Sequence, residues 1–307
     1  LFERGSHRVV AIPNCIVHAD PINELVAHVR KAIVATKTPI YSERVHAGLV
    51  RYLQLVAQRS SRTVQLVVVG SAPEPAECLP LLDEISHRAG KLIGGLFYNA
   101  QPQPTNAILG PSWFQHGGAP AVVETIAGAS VFFPPGAFGQ ANLPLFERIV
   151  QRVSQWVAED EAVVELFAGV GAIGLGLLAR GQRVAFNEVA EQSLQGLRLG
   201  LEALDPAARA RASVHPGLAE QVAPRLALTD SHVLVDPPRK GLEARLVSEL
   251  CAQRPRRLTY LSCGLESFIR DAEALCQGGL RCERVEAYAL FPFTEHVETL
   301  AHFVRGS

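Results

Sequence analysis

Glu165-Leu166-Phe167-Ala168-Gly169-Val170-Gly171-Ala172-Ile173-Gly174-Leu175-Gly176 is the stretch whose reading decides the fold. It follows Ala162-Val163-Val164, a short β-branched strand pattern, and runs into Leu175, Leu177, Leu178 and Ala179, which read as a helix interior. Gly169, Gly171 and Gly174 therefore fall where a strand turns sharply into a helix. Glycine suits that turn because it permits positive φ and lets the backbone approach a ligand closely. A second strand pattern, 183–186, ends at Asn187-Glu188, so Glu188 closes the next β-α-β step about 20 residues on. A carboxylate there can accept both hydroxyl hydrogens of a ribose.

The order Gly169-x-Gly171-x-x-Gly174 satisfies the dinucleotide fingerprint, so the glycines alone admit a nicotinamide dinucleotide, S-adenosylmethionine, or a ligand-free turn. Glu165 leans toward the second, because a carboxylate beside the turn can face a methionine ammonium.

A chain of 307 residues with 48% hydrophobic residues, 20 Pro and 25 Gly reads as an α/β protein of two domains. No run approaches the length of a membrane span and no basic segment precedes an apolar one, so neither a membrane helix nor a signal peptide is expected. The six cysteines at 15, 78, 251, 263, 276 and 282 have no pairing or zinc-ligand spacing, which suits a reducing, cytoplasmic compartment. A net charge of −1 leaves any nucleic-acid contact to local patches.

Residues 1–130 read as a smaller α+β domain, with strands at 7–13, 48–57, 62–70 and 92–98, helices from Asp20 and over 80–88, and a loop forced by Pro102 and Pro104. After a bridge in which Gln140 and Asn142 either cap a helix or touch a ligand, 131–307 alternates strand and helix and closes with an antiparallel pair, 281–291 and 296–304. This predicts a Rossmann-like, mostly parallel sheet with helices on both faces. Ligands in such sheets sit off the carboxyl ends of the strands, where Glu165, Glu188, Asp236, Cys263 and the 291–298 turn converge.

Each chemical candidate has a plainer reading. Asp236, before Pro237-Pro238, could simply start a loop, but two prolines would also hold its carboxylate and the Arg239 amide in a fixed direction toward a planar base. Cys263 could be a buried hydrophobe; at a strand end before a helix starting near Leu265, its thiolate would be favoured by the helix dipole. Arg270-Asp271 reads as a solvated or locally paired duo. His296 and Glu298, two apart on a strand, share a face, and the Phe291-Pro292-Phe293 wall would raise the Glu298 pKa toward that of a general base.

Phe138-Gly-Gln140-Ala-Asn142, Glu165-Leu-Phe-Ala-Gly-Val-Gly171, Asp236-Pro-Pro-Arg-Lys-Gly241, Ser262-Cys263 with Arg270-Asp271, and Phe291-Pro-Phe-Thr-Glu-His-Val-Glu298 together resemble the RNA (uracil-5-)-methyltransferase family. The resemblance implies a class I S-adenosylmethionine-dependent domain over 131–307, an RNA-contacting domain over 1–130, and a monomer. It implies that Cys263 is the nucleophile, Glu298 the base and Asp236 a uracil-positioning group that also borders the donor. Gln140, Glu165, Phe167, Gly169, Gly171 and Glu188 would hold the methyl donor, and Phe138, Arg239 and His296 the substrate. The missing barrel domain points to the short members that act on 23S ribosomal RNA, with a transfer RNA enzyme, or a catalytically weak RNA-binding or ribosome-assembly protein on the same fold, as the alternatives. Several members carry a [4Fe-4S] cluster on four cysteines, of which the last would match Cys15 and the other three would lie upstream of Leu1. The chain differs from the family at Gly264-Leu265, Ser267, Asn187 and Pro216-Gly217-Leu218.

Overall fold

In the computed structural model, which describes residues 3, 5, 10–12, 14–292 and 294–306, the chain forms two compact units, Leu1–Glu124 and Thr125–Ser307. The first is built on α1 (Asp20–Thr36), whose Leu25, Val29 and Ala32 recur at helical spacing and are fully buried. Strands β1 (Val50–Ala57) and β2 (Val64–Gly70) pair antiparallel, α2 (Leu79–Ala89) crosses over, and β3 (Ile93–Ala100) returns parallel to β2. An antiparallel edge, β4 (Ser112–Gly118), completes the order β1-β2-β3-β4. Every residue of β2 is buried: Leu66 and Val68 pack with Leu25, Val29, Leu81 and Ile85, while Val67 and Val69 pack with Phe97, Tyr52 and Trp113. A strand covered on both faces reads as a continuous apolar run, as this one does. The expected strand at 7–13 falls largely outside the described residues.

A two-stranded sheet of β5 (Val122–Ile126) and β6 (Ala129–Phe133) follows. Beyond it, α3 (Leu143–Trp156) is capped by Asn142, whose side chain accepts from Leu145 N at 3.3 Å. There follow β7 (Val163–Leu166), α4 (Gly174–Ala179), β8 (Val184–Glu188), α5 (Glu191–Glu202), α6 (Pro206–Arg209) and β9 (Ala212–Pro216). Then come α7 (Ala219–Val222), β10 (His232–Val235), α8 (Ala244–Gln253), β11 (Arg257–Ser262), α9 (Leu265–Gln277), β12 (Leu280–Tyr288) and β13 (Glu298–Arg305). Their seven strands lie in the order β12-β13-β11-β10-β7-β8-β9. Strands β7 to β11 run parallel, and β13 is antiparallel to both its neighbours. Val164, Leu166, Val233, Val235, Leu258 and Tyr260 form the core against Leu246, Leu250, Phe268 and Leu275.

Chain order reverses between β7 and β10, and a ligand crevice belongs outside the carboxyl ends of the strands at such a point. At the opposite ends a buried polar set ties the strands together. Glu161 accepts from Arg257 at 2.7 Å and meets His232 at 3.3 Å, and His232 meets Thr259 at 2.8 Å. No helix among the described residues is long and apolar enough to cross a membrane.

Candidate active site

Between β7 and α4 the backbone reverses through Phe167 at φ 59°, Gly169 at 55° and Gly171 at 78°. Phe167 is the unusual one, since a bulky residue with positive φ must be held there by its surroundings. Glu188 supplies part of that hold. Its carboxylate accepts from Gly169 N at 2.8 Å and from Val189 N and Ala190 N at 2.7 Å, so three of its roughly four lone-pair positions serve the backbone. Gly174 answers to packing instead: a Cβ there would lie 2.2 Å from Glu165 Oε2 and 2.4 Å from the Phe186 ring. Only a bare backbone lets α4 start this close to β7 and β8.

The Asp236-to-Gly241 turn leaves β10 beside the end of β11. Ser267 donates to Arg239 O at 2.7 Å, and a Cβ on Gly264 would lie 2.6 Å from that same carbonyl, so the turn seats directly on the start of α9. Arg270-Asp271 is locally paired, as one of its two expected readings had it, with Arg270 largely exposed and its Nε and Nη2 donating to Asp271 at 2.9 and 2.7 Å. Asp271 is buried and accepts from Leu242 N and Tyr260 Oη, while Arg270 donates to Lys240 O. Cys263 sits just before α9, half-buried and facing the same space.

That space is a cavity of about 570 Å³ lined by Phe138, Gln140, Glu165, Phe167, Gly169, Glu188, Asp236, Arg239, Cys263, Phe291 and Glu298, among others. Four carboxyls, Glu165, Glu188, Asp236 and Glu298, line this apolar-walled site, and burial raises three of them. Burial raises Glu165 to about 8, with Asp236 and Glu188 adding to the rise and a bond from the Gly174 amide opposing it. Burial and then Glu298 raise Asp236 to about 8. Burial raises Glu298 to about 7 against the pull of Arg239. Glu165 Oε2 and Glu298 Oε2 are buried without a hydrogen-bond partner, which makes them acceptors waiting for a donor or a cation.

The thiolate advantage expected from the α9 dipole is outweighed. Burial, then Glu298 and Asp236, raise the Cys263 thiol above its ordinary value, and only Arg239, through charge and a hydrogen bond, lowers it. His296 also departs from expectation. Strand β13 begins at Glu298, so His296 lies in the preceding loop, exposed, with its ring edge-on to Phe291 at 6.2 Å and outside the cavity lining. The pair at 140 and 142 divides: Gln140 lines the cavity and Asn142 caps α3. Asn187 is buried and donates to His215 O and Gly217 O, holding β8 to β9 away from the ligand space. Phe293 lies outside the described residues. Sequence reasoning passed over Phe133, Phe146 and Ser193, which line the cavity from β6, α3 and α5. The two phenylalanines look like any core face and Ser193 like any polar helix residue, so none carried a distinguishing signal.

The residues present fit S-adenosylmethionine: a glycine turn, an acid at the next strand end, and an unpartnered buried carboxylate oxygen on Glu165 for the cationic end of the ligand. Among the described residues no three His, Cys, Asp or Glu side chains converge as metal ligands.

Comparison with known proteins bears on this site. An uncharacterized RNA methyltransferase of Protochlamydia amoebophila is 35% identical, the alignment covering 99% of this chain and 81% of that protein. One of Parasynechococcus marenigrum is 30% identical over 100% of this chain and 66% of its own length. A family model described as tRNA (Uracil-5-)-methyltransferase matches residues 226–305. The structure of a Pyrococcus abyssi tRNA (uracil-54, C5)-methyltransferase with S-adenosyl-L-homocysteine superposes with a TM-score of 0.79 at 23% identity, covering 97% of this chain and 70% of that one. The fold is thus the Rossmann-like class I methyltransferase fold preceded by a smaller α+β region. The expectation of a short 23S ribosomal RNA enzyme is corrected by the family description over 226–305, which names tRNA. The chain belongs to the RNA methyltransferase family represented by the Protochlamydia protein.

Proposed function

We propose that this protein transfers a methyl group from S-adenosylmethionine to C5 of a uridine in RNA, and that the RNA is a tRNA. The observation that carries the reading is the convergence of Cys263, Asp236, Arg239 and Glu298 on the cavity that also holds the Gly169–Gly171 turn and Glu188. The family description over 226–305 supports tRNA as the substrate class. Donor chemistry belongs to 131–307 and part of the RNA contact to 1–130.

Uracil C5 is a poor nucleophile until a thiolate adds at C6. Cys263 forms the S–C6 bond, and the electrons of the C5=C6 bond move toward the C4 oxygen. Asp236 and Arg239, on the turn above Cys263, orient the ring; Phe138, 68% exposed at the cavity mouth, offers it a stacking face. Gln140, Glu165, Phe167, Gly169, Gly171 and Glu188 hold the donor, which supplies an electrophilic sulfonium methyl. Once C5 carries the methyl, Glu298 takes the C5 proton, the C5=C6 bond re-forms and the Cys263 thiolate leaves. An acid at about 7 is well matched to that task near neutrality. A base stacked in a helix is out of reach of Cys263, so the target uridine is unstacked when it reacts.

The test is incubation of the full chain with undermodified tRNA and the donor, followed by nucleoside mass spectrometry. 5-Methyluridine is expected from the parent, with neither product nor a denaturation-resistant protein–RNA adduct from Cys263→Ala. Near-parental methylation by Cys263→Ala overturns the nucleophile assignment.

A further inference from the structure

The least accounted-for charge near the site is Asp271, buried at 2% exposure and 11 residues from its partner Tyr260. It receives four donors: Leu242 N at 2.7 Å, Tyr260 Oη at 2.8 Å, and Arg270 Nε and Nη2 at 2.9 and 2.7 Å. That fills about all the lone-pair positions of a carboxylate, so this group is built in rather than solvated. The arrangement leaves no slack. Arg270 passes over Asp271 to donate to Lys240 O at 2.8 Å, and Gly241, at φ 80°, has no room for a Cβ, which would lie 2.4 Å from Asp271 Oδ2. Ser267, one helical turn earlier on α9, holds Arg239 O at 2.7 Å and Gly264 O at 2.9 Å. Carbonyls 239 and 240 and amide 242 of one turn are therefore each bonded to a side chain of α9.

We propose that Asp271 is a positioning residue: with Arg270, Ser267 and Tyr260 it locks the Asp236–Gly241 turn onto α9, and thereby fixes Arg239 and Asp236 against the Cys263 side chain that precedes the same helix. The inference rests on the function proposed above for Cys263. It follows from what faces the thiol: Glu298 and Asp236 disfavour its ionised form, and Arg239 is the cation that favours it. If the turn loosens, Arg239 moves with it, whereas Glu298, on β13, remains buried beside the sulfur.

Cys263 reactivity reads this directly, without RNA or donor. The pH dependence of iodoacetamide alkylation at the Cys263 peptide, followed by mass spectrometry with exposed Cys276 as internal reference, is measured for the parent, Asp271→Asn, Tyr260→Phe and Ser267→Ala. Loss of Arg239 from the sulfur should shift the Cys263 midpoint upward by roughly half a pH unit, slowing alkylation near pH 7.5 about threefold, with Cys276 unchanged. S-Adenosylhomocysteine affinity should stay within about twofold of the parent, since none of the three side chains lines the donor end of the cavity. A purely structural role would lower the melting temperature and leave the Cys263 profile in place. An unchanged profile in Tyr260→Phe and Ser267→Ala overturns the proposal, whatever Asp271→Asn does. Failure of the parent to methylate RNA would instead overturn the function and leave the positioning result standing.

Discussion

Glu165→Gln should make the protein more stable as pH rises, relative to the parent, and the size of that effect follows from the site. An acid held above its ordinary pKa keeps its proton more tightly in the folded chain, so the folded state binds more protons between the two values and stability falls as pH climbs through that window. For Glu165 the window runs from 4.5 to about 8, and for Glu298 from 4.5 to about 7. For Asp236 it runs from 3.8 to about 8. Histidines oppose this only lower down: burial depresses His302 from 6.5 to about 4, so its contribution grows with pH up to 6.5 and is then complete. Glu161, held near 2 by His232, Arg257 and the Ala158 amide against its own burial, stays ionised throughout. Between pH 6.5 and 8 the three cavity acids therefore dominate, each contributing at most ~1.4 kcal/mol per pH unit. Integrated over that interval, Glu165 alone accounts for roughly 1 to 2 kcal/mol, or a few degrees in melting temperature. The variant keeps an acceptor for the Gly174 amide and cannot ionise. Thermal scans of both proteins at pH 6.5 and 8 should show the parent losing stability and Glu165→Gln losing clearly less. A parent whose melting temperature holds or rises over that interval, or a variant with the parental slope, refutes the assignment of raised carboxyls to this cavity.

Glu298→Gln should still allow addition and methyl transfer but lack the base that resolves the intermediate. A methylated protein–RNA adduct should then accumulate on denaturing gels, with turnover down about 10²–10⁴-fold; release of product at the parental rate would move the base elsewhere. Gly174→Ala should lower the melting temperature by the equivalent of about 1–3 kcal/mol despite the better helix propensity of alanine, because its Cβ would collide with Glu165 and Phe186. An unchanged or raised melting temperature would show that α4 can shift to make room.

The parallel sheet was legible because its signals are local. The 162–164 and 231–235 runs, the glycines between them and the acid at 188 each state a strand, a turn or a strand end within a few residues. The closing hairpin read correctly for the same reason, apart from its ends: residues 289–291 and 296–297 alternate suitably but lie beyond the last paired residues, Tyr288 and Glu298. That small shift decides His296. Once the strand begins at Glu298, a residue two positions earlier no longer shares its face, and His296 turns onto Phe291 instead of the cavity.

Electrostatics was the part that spacing could not carry. Cys263 at a helix start is, by local pattern, a thiol with a lowered pKa, and the dipole argument behind that reading is sound for an isolated helix. What reverses it comes from residues 27 positions before and 35 after, Asp236 and Glu298, which the strand order β13-β11-β10 brings to the rim where Cys263 sits. The same order explains Arg270-Asp271, which looks like a surface pair because its partners, Lys240, Leu242 and Tyr260, lie on other elements. The local pair that the sequence allowed is there, but its acid, Asp271, is buried and saturated by Arg270 together with partners from other elements. Among the described residues, the charges that act on the thiol are two acids, Glu298 and Asp236, which disfavour its ionisation, and Arg239, which favours it from a turn bonded to Ser267 and Arg270 of α9.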